Sequence, residues 1–119
     1  MRRGHRELRA WQEAVALVET IYRLTSTFPK DEQFGLTSQM RRAATSVPAN
    51  IAEGAARSGT RELLHFLSIA SGSLSELDTH LEVAKRLGFL KDTKDAQDKI
   101  DQVSALVLAL AKSLKAKES

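Results

Sequence analysis

Leu63, Leu67, Ala70, Leu74, Leu77, Leu81, Ala84 and Gly88 are spaced alternately by four and three residues without a break. That spacing lays one continuous apolar seam along a helix and leaves no room for the two-residue period of a strand. A helix cannot bury its own stripe, so a seam this long demands partners of comparable length. The rest of the chain supplies them. Leu8, Trp11, Val15, Val18, Tyr22 and Thr25 repeat at heptad steps, and so does a second series, Ala10, Ala14, Leu17, Ile21, Leu24 and Phe28. Leu36, Met40, Ala43, Ala44, Val47 and Ile51 form another seam, and Ala96, Ile100, Val103, Val107, Leu110 and Leu114 a last one.

Turn chemistry separates these seams into four helices, at about 7–26, 36–57, 60–87 and 93–115. Pro29 ends the first, because proline disfavours helical geometry in the residue before it. Thr37 is a candidate N-cap for helix 2, Gly59 a left-handed terminator with Thr60 capping helix 3, Gly88 the stop of helix 3, and Asp92 or Thr93 the cap of helix 4. Pro48 lies inside helix 2 with the apolar pattern in phase on both sides, which predicts a kinked helix rather than two helices. The fold class is therefore all-α, an antiparallel up-down-up-down four-helix bundle forming one domain over 1–119. A coiled-coil rod is the alternative for such heptads, but the turn signals come too often for it.

Composition narrows the function. The 119 residues contain no cysteine, which removes disulfides, thiolate nucleophiles and Cys-ligated zinc and suits a reducing cytoplasm. Charges interrupt every apolar stretch well short of the ~20 residues needed to span a bilayer, and no uninterrupted apolar run follows Arg2 and Arg3 as in a secretory leader. The expectation is a soluble cytoplasmic protein. The net charge is +3, and residues 1–60, with nine Lys/Arg against six Asp/Glu, hold all of the excess.

Two surfaces invite a functional reading. Helix 2 carries a polar stripe, Gln39, Arg42, Ser46, Asn50, Glu53 and Arg57, beside its apolar one. A tight hairpin around Gly59 sets residues equidistant from the turn opposite each other, so Arg42 should face Glu76, Ser46 Gly72, Glu53 His65 and Gln39 His80. Read this way, Gln39, Arg42, Ser46, Asn50, Glu53, His65, Ser73 and Glu76 form an internal hydrogen-bond network that fixes helix pairing. Removing Arg42 would leave Glu76 buried and unpaired, at a cost of about 3 to 5 kcal/mol. Gly72, expensive in a helix interior, is expected where another backbone comes close.

The alternative, acid–base catalysis or metal binding by Glu53, His65 and Glu76, lacks a nucleophile, a phosphate loop and a second Glu-x-x-His. His65 and His80 sit roughly 22 Å apart along one helix. No enzyme, metal or cofactor is expected. The second surface is basic: Arg2, Arg3, Arg6 and Arg9 on the N-terminal arm, Arg41 off the polar stripe, and Arg57 and Arg61 flanking the hairpin turn, all candidates for phosphate contact. Lys85, Arg86 and Lys112 are accounted for equally well by the helix macrodipole. With alternating helix directions, not all of these cations can form one patch in a monomer. Extra apolar residues on helices 1 and 4, including Leu106, Leu108 and Ala111, predict a homo-oligomer whose contacts use those helices.

The combination Gln39-x-Arg41-Arg42-Ala43-x-x-Ser46-x-Pro48-x-Asn50-Ile51-Ala52-Glu53-Gly54 with Gly72-Ser73-Leu74-x-Glu76-Leu77 resembles the four-helix bundle proteins named after the 23S rRNA intervening sequences in which some of their genes lie. Leu8-x-x-Trp11 and the Phe28-Pro29 turn extend the likeness over roughly residues 7–90. The family is similar to the accessory variability protein of diversity-generating retroelements, a pentameric bundle that binds nucleic acid and a reverse transcriptase. The resemblance implies a non-enzymatic bacterial homopentamer that binds RNA or DNA. Its alternative is a module that partners a reverse transcriptase or another polypeptide without nucleic-acid affinity of its own.

Overall fold

The computed structural model describes residues 4–118, with the side chain of residue 118 left aside. Four helices carry the fold: α1 (Arg9–Thr25), α2 (Leu36–Ala56), α3 (Thr60–Arg86) and α4 (Lys94–Glu118). Short 3-10 turns at Gly4–Glu7 and Lys30–Glu32 precede α1 and α2, and no strand occurs among the described residues. Each helix packs on its neighbours in chain order and α4 closes back on α1, which leaves α1 and α3, and α2 and α4, on the diagonals. The body is long, 47 × 26 × 19 Å, as a bundle of 27- and 25-residue helices must be.

The core holds the seams of α2 and α3 as the periodicity predicts, with Met40, Ala44, Val47, Ile51, Leu67, Leu77 and Leu81 nearly or completely buried. Helix α1 reverses the expected emphasis. Its innermost residues are Ala10, Ala14, Leu17 and Ile21, whereas Leu8, Trp11, Val15 and Val18 are only partly covered and Tyr22 is 43% exposed. The two seams have the same spacing, and the smaller alanines allow α1 to sit closer to the other helices, so the alanine-bearing seam goes inward. On α4, Ala96, Ile100, Val103 and Val107 are buried while Leu108 stays 63% exposed.

Helix ends follow hydrogen-bond accounting, in places with different residues from those expected. Gly88 has φ 81°, and behind it the Gly88 and Phe89 amides donate to the carbonyls of Lys85 and Ala84, the paired bonds of a Schellman motif. Gly59 is not left-handed: at φ −128°, ψ 149° it is extended and occupies the N-cap itself, so Thr60 is the first residue of α3. Helix α2 begins at Leu36, before Thr37, and Glu32 Oε1 accepts the Leu36 amide at 3.1 Å. Asp92 Oδ1 does the same for Lys94 at 2.9 Å. Pro48 is buried within an unbroken α2.

Gly54 lets α2 and α3 meet. A Cβ there would lie 2.8 Å from Phe66 Cβ and 3.0 Å from Leu63 Cδ1, whereas a Cβ at Gly72 would meet nothing within 4 Å. The expectation of a close approach at Gly72 is thus corrected; it belongs to Gly54, and nothing within the bundle explains Gly72. Opposite outcomes follow for one methyl group. Gly54→Ala forces the helices apart and is expected to destabilise by about 1–3 kcal/mol. Gly72→Ala gains helix propensity in open space, by about 0.5–1 kcal/mol. Urea denaturation of the two variants measures both.

Lys99 on α4 donates a hydrogen bond to Glu13 on α1, with both side chains largely covered. That bond, reinforced by the Lys99 and Arg9 charges, holds the Glu13 carboxyl below its ordinary 4.5. A carboxylate with a lowered folded-state value stabilises the fold above the ordinary value, and the gain is lost as pH falls through the lowered one. Glu13→Gln should therefore flatten the acid limb of the stability curve below pH 4.5, as followed by thermal melts across pH.

Candidate nucleic-acid interface

The hairpin register is close to that inferred from the turn. Ser46 Oγ and Ser73 Oγ lie 2.8 Å apart, one residue from the expected Ser46–Gly72 pairing, and the Asn50 amide donates to Ser46 Oγ at 2.9 Å and to the Ser46 carbonyl at 2.8 Å. This small cluster is part of the internal network expected there. The rest of that network does not form. Arg42 is exposed and has no ion pair among the described residues, and Glu76, 55% exposed, meets His80 Nε2 at 3.1 Å instead. Glu53 pairs with Arg57, four residues on, at 3.1 Å, while His65 is exposed and packs edge-on against Phe66. Gln39 is exposed too. Long side chains at the outer edge of a helix pair find partners on their own helix at i+4 more cheaply than across the groove.

The candidate phosphate-binding arginines separate into held and free ones. Arg41, expected to be exposed and available, is the most restrained. Its Nε donates to Thr25 Oγ1 at 2.9 Å, its Nη2 to the Tyr22 carbonyl at 3.3 Å, and its guanidinium stacks 4.5 Å above the Tyr22 ring. It fastens α2 to the end of α1. Arg57 is also engaged, by Glu53, by Glu62 at 4.0 Å and over the Phe66 ring at 5.2 Å. Arg61 is exposed with no ion pair among the described residues. Arg6 covers the Trp11 ring at 5.2 Å and leaves its outer face open, His5 meets the same ring edge-on, and Arg9 is exposed. Arg2 and Arg3 lie outside the described residues.

Topology collects these charges in a way the linear sequence hides. Arg41 of α2 meets Tyr22 and Thr25 at the far end of α1, so the beginning of α1 runs beside the end of α2, and the turn at Gly4–Glu7 packs on α2. Lys115 of α4 shares a groove with Leu64 and Leu67, about one turn past the hairpin. Arg6, Arg9, Arg57, Arg61, Lys112, Lys115 and Lys117 are therefore all toward one end, with Glu7, Glu13, Glu53 and Glu62 among them. The acidic residues Asp78, Glu82, Asp92, Asp95, Asp98 and Asp101 are toward the other end, where Arg23, Arg41, Arg42, Lys85, Arg86 and Lys94 balance them and Arg86 and Lys94 are bonded to Glu82 and Asp98. As expected, not all of the cations form one patch, since Arg41, Lys85 and Arg86 lie toward the other end, while the start of α1 and the start of α3 arrive at the same end as the tails of α2 and α4. Among the described residues no cluster of three or more His, Asp or Glu is placed to hold a metal ion, and no helix is long and apolar enough to cross a membrane.

A small all-α bundle with a tight α2–α3 hairpin and one basic end is the class of protein these features define. Residues 6–109 match the family described as 23S rRNA-intervening sequence protein, and the chain belongs to that family. Among solved structures it is similar to a protein with unknown function from the S23 ribosomal protein family of Bacteroides thetaiotaomicron, with TM-score 0.77 and 18% identity over 87% of this chain and 98% of that one. No curated protein matches.

The held and free arginines make a direct comparison. Arg41→Ala should cost about 1–2 kcal/mol through its lost hydrogen bond and ring contact. Its neighbour Arg42→Ala should stay within about 0.5 kcal/mol of the parent, as surface substitutions do. Chemical denaturation of both variants distinguishes this from the reverse order that a buried Arg42–Glu76 pair requires.

Proposed function

We propose that this protein is a non-enzymatic scaffold that binds nucleic acid through the basic end of the bundle and works in the cytoplasm as a ring-like homopentamer. The observation that carries the reading is the segregation of charge. Phosphate binding needs cations that no carboxylate has already claimed, and Arg6, Arg61 and Lys115 meet that requirement at the end where the hairpin and the chain's first helix converge. The family's name, which refers to a ribosomal RNA insertion, agrees in kind. Assembly is supported by apolar surface left open on α1 and α4, chiefly Leu108 with the partly covered Trp11, Val15 and Val18.

Fluorescence anisotropy with a structured RNA and a DNA duplex across a salt series tests the binding. Affinity should fall steeply with salt, and Arg61→Ala should reduce the slope of log K against log salt by about one phosphate contact. Reversing Arg6, Arg61 and Lys115 to Glu together should abolish duplex binding without altering the fold. Light scattering at micromolar concentration reads the assembly, and a species of monomer mass refutes it. A stable assembly with no affinity at low salt favours a protein-interaction module whose partner is a reverse transcriptase or another polypeptide.

A further inference from the structure

The connection from α1 to α2 presents the most exposed large apolar side chain among the described residues. Phe34 is 90% exposed, in a segment otherwise polar, and so forgoes the burial that stabilises an ordinary phenylalanine. It lines a cleft of about 480 Å³ whose other walls include Tyr22, Arg41, Arg42, Gln33 and Ser38, with no carboxylate among them. The Arg41 guanidinium is already stacked on Tyr22, which makes one wall a rigid cation–aromatic surface. Arg42, one residue on, is exposed with no ion pair among the described residues. An adjoining cleft of about 210 Å³ shares Gln33, Thr37 and Arg41 and adds Lys30, again without a carboxylate.

We propose that this trough binds a single-stranded segment of nucleic acid, with an unstacked base on Phe34 and the neighbouring phosphates on Arg42 and Lys30. The inference rests on the nucleic-acid reading above but uses the opposite end of α2 from the basic end. The chemistry favours a single strand over a duplex. An exposed ring offers a π-face that only an unstacked base can use, and bases inside a duplex are already stacked on one another. A free cation beside that ring, in a trough without acidic groups, selects a ligand that is aromatic and anionic in alternation. Two contiguous clefts suit an extended chain better than a lone nucleotide. Gln33 and Ser38 bring polar groups to the walls, where they can meet a base edge.

The test compares the parent protein with Phe34→Ala, Phe34→Trp, Arg42→Ala and Arg61→Ala, using fluorescein-labelled single-stranded RNA, single-stranded DNA and a duplex of the same sequence. Phe34→Ala is expected to weaken single-strand binding roughly tenfold to a hundredfold and to leave duplex binding unchanged. Phe34→Trp should retain single-strand affinity, and Arg42→Ala should lower the salt dependence by about one contact. Because Phe34 packs on so little, circular dichroism of the variants should overlay the parent. If the duplex is bound with an Arg61-dependent salt slope while Phe34→Ala changes nothing, the trough is wrong and the basic end stands. If the parent binds none of the three probes, both readings fall. A change of assembly mass in Phe34→Ala, seen by light scattering with single-strand affinity intact, gives the trough to a second copy of the chain and overturns the inference.

Discussion

The near contact between α2 and α3 at Gly54 sets the geometry on which the other features depend. With no Cβ there, Phe66 and Leu63 come within 3.0 Å of where one would stand, and the two helices close on each other a turn from their connection. A hairpin pinned so near its turn has little freedom to slide. Ser46 therefore meets Ser73 some two turns further along, and Asn50 can complete a compact polar cluster at the joint. Backbone proximity fixes the register, and the hydroxyl pair reports it; the ion pair that crosses the joint, Arg57–Glu62 at 4.0 Å, sits half exposed at the turn and adds little. That division of labour is economical, since small groups at a close joint lose little conformational entropy while Arg and Glu would lose much.

The periodicity of the sequence carries the architecture almost completely, because apolar spacing at heptad steps is a property of the backbone helix and survives whatever the side chains do. Its failures occur where two solutions have the same period. The two seams of α1 are equally regular, and only packing distance, which favours Ala10 and Ala14 against the core, decides between them. Likewise Arg41 and Arg42 are adjacent in sequence and differ by about 100° around the helix. The register is legible to within a residue, but the side-chain partners are not: Glu76 chooses His80 and Glu53 chooses Arg57, each four residues along its own helix, where the pairing distance needs no agreement between helices. Gly59 shows the same limit at a turn, since a glycine next to a helix end serves as N-cap or as left-handed terminator and the sequence does not distinguish them.

Phe34 carries no signal in the sequence for a related reason. Apolar patterns reveal residues that recur, and a lone aromatic in a polar connection recurs with nothing. Its meaning comes from three dimensions, in which the loop sets it over the first turns of α2 beside a Tyr22–Arg41 stack. Arg41 thereby acquires a second consequence. By tying the end of α1 to α2 it holds closed the joint that the loop spans, and it leaves its neighbour Arg42 as the free cation of that face.

The gathering of cations at one end is also a product of topology rather than composition. Four helices of alternating direction deliver the start of α1, the end of α2, the start of α3 and the end of α4 to the same place, so charges scattered over the whole sequence converge there. The macrodipoles are not aligned to assist: α2 and α4 present their negative ends, which Lys115 and Lys117 complement, while α1 and α3 present positive ones. What remains after that compensation is the excess at Arg6 and Arg61. In a cyclic homo-oligomer all protomers point the same way along the axis. Bundles standing roughly parallel to that axis would then turn a modest patch on each protomer into a continuous ring on one face. Weak phosphate contacts multiplied around such a ring bind a long polyanion far more tightly than any single patch, because each successive contact is intramolecular.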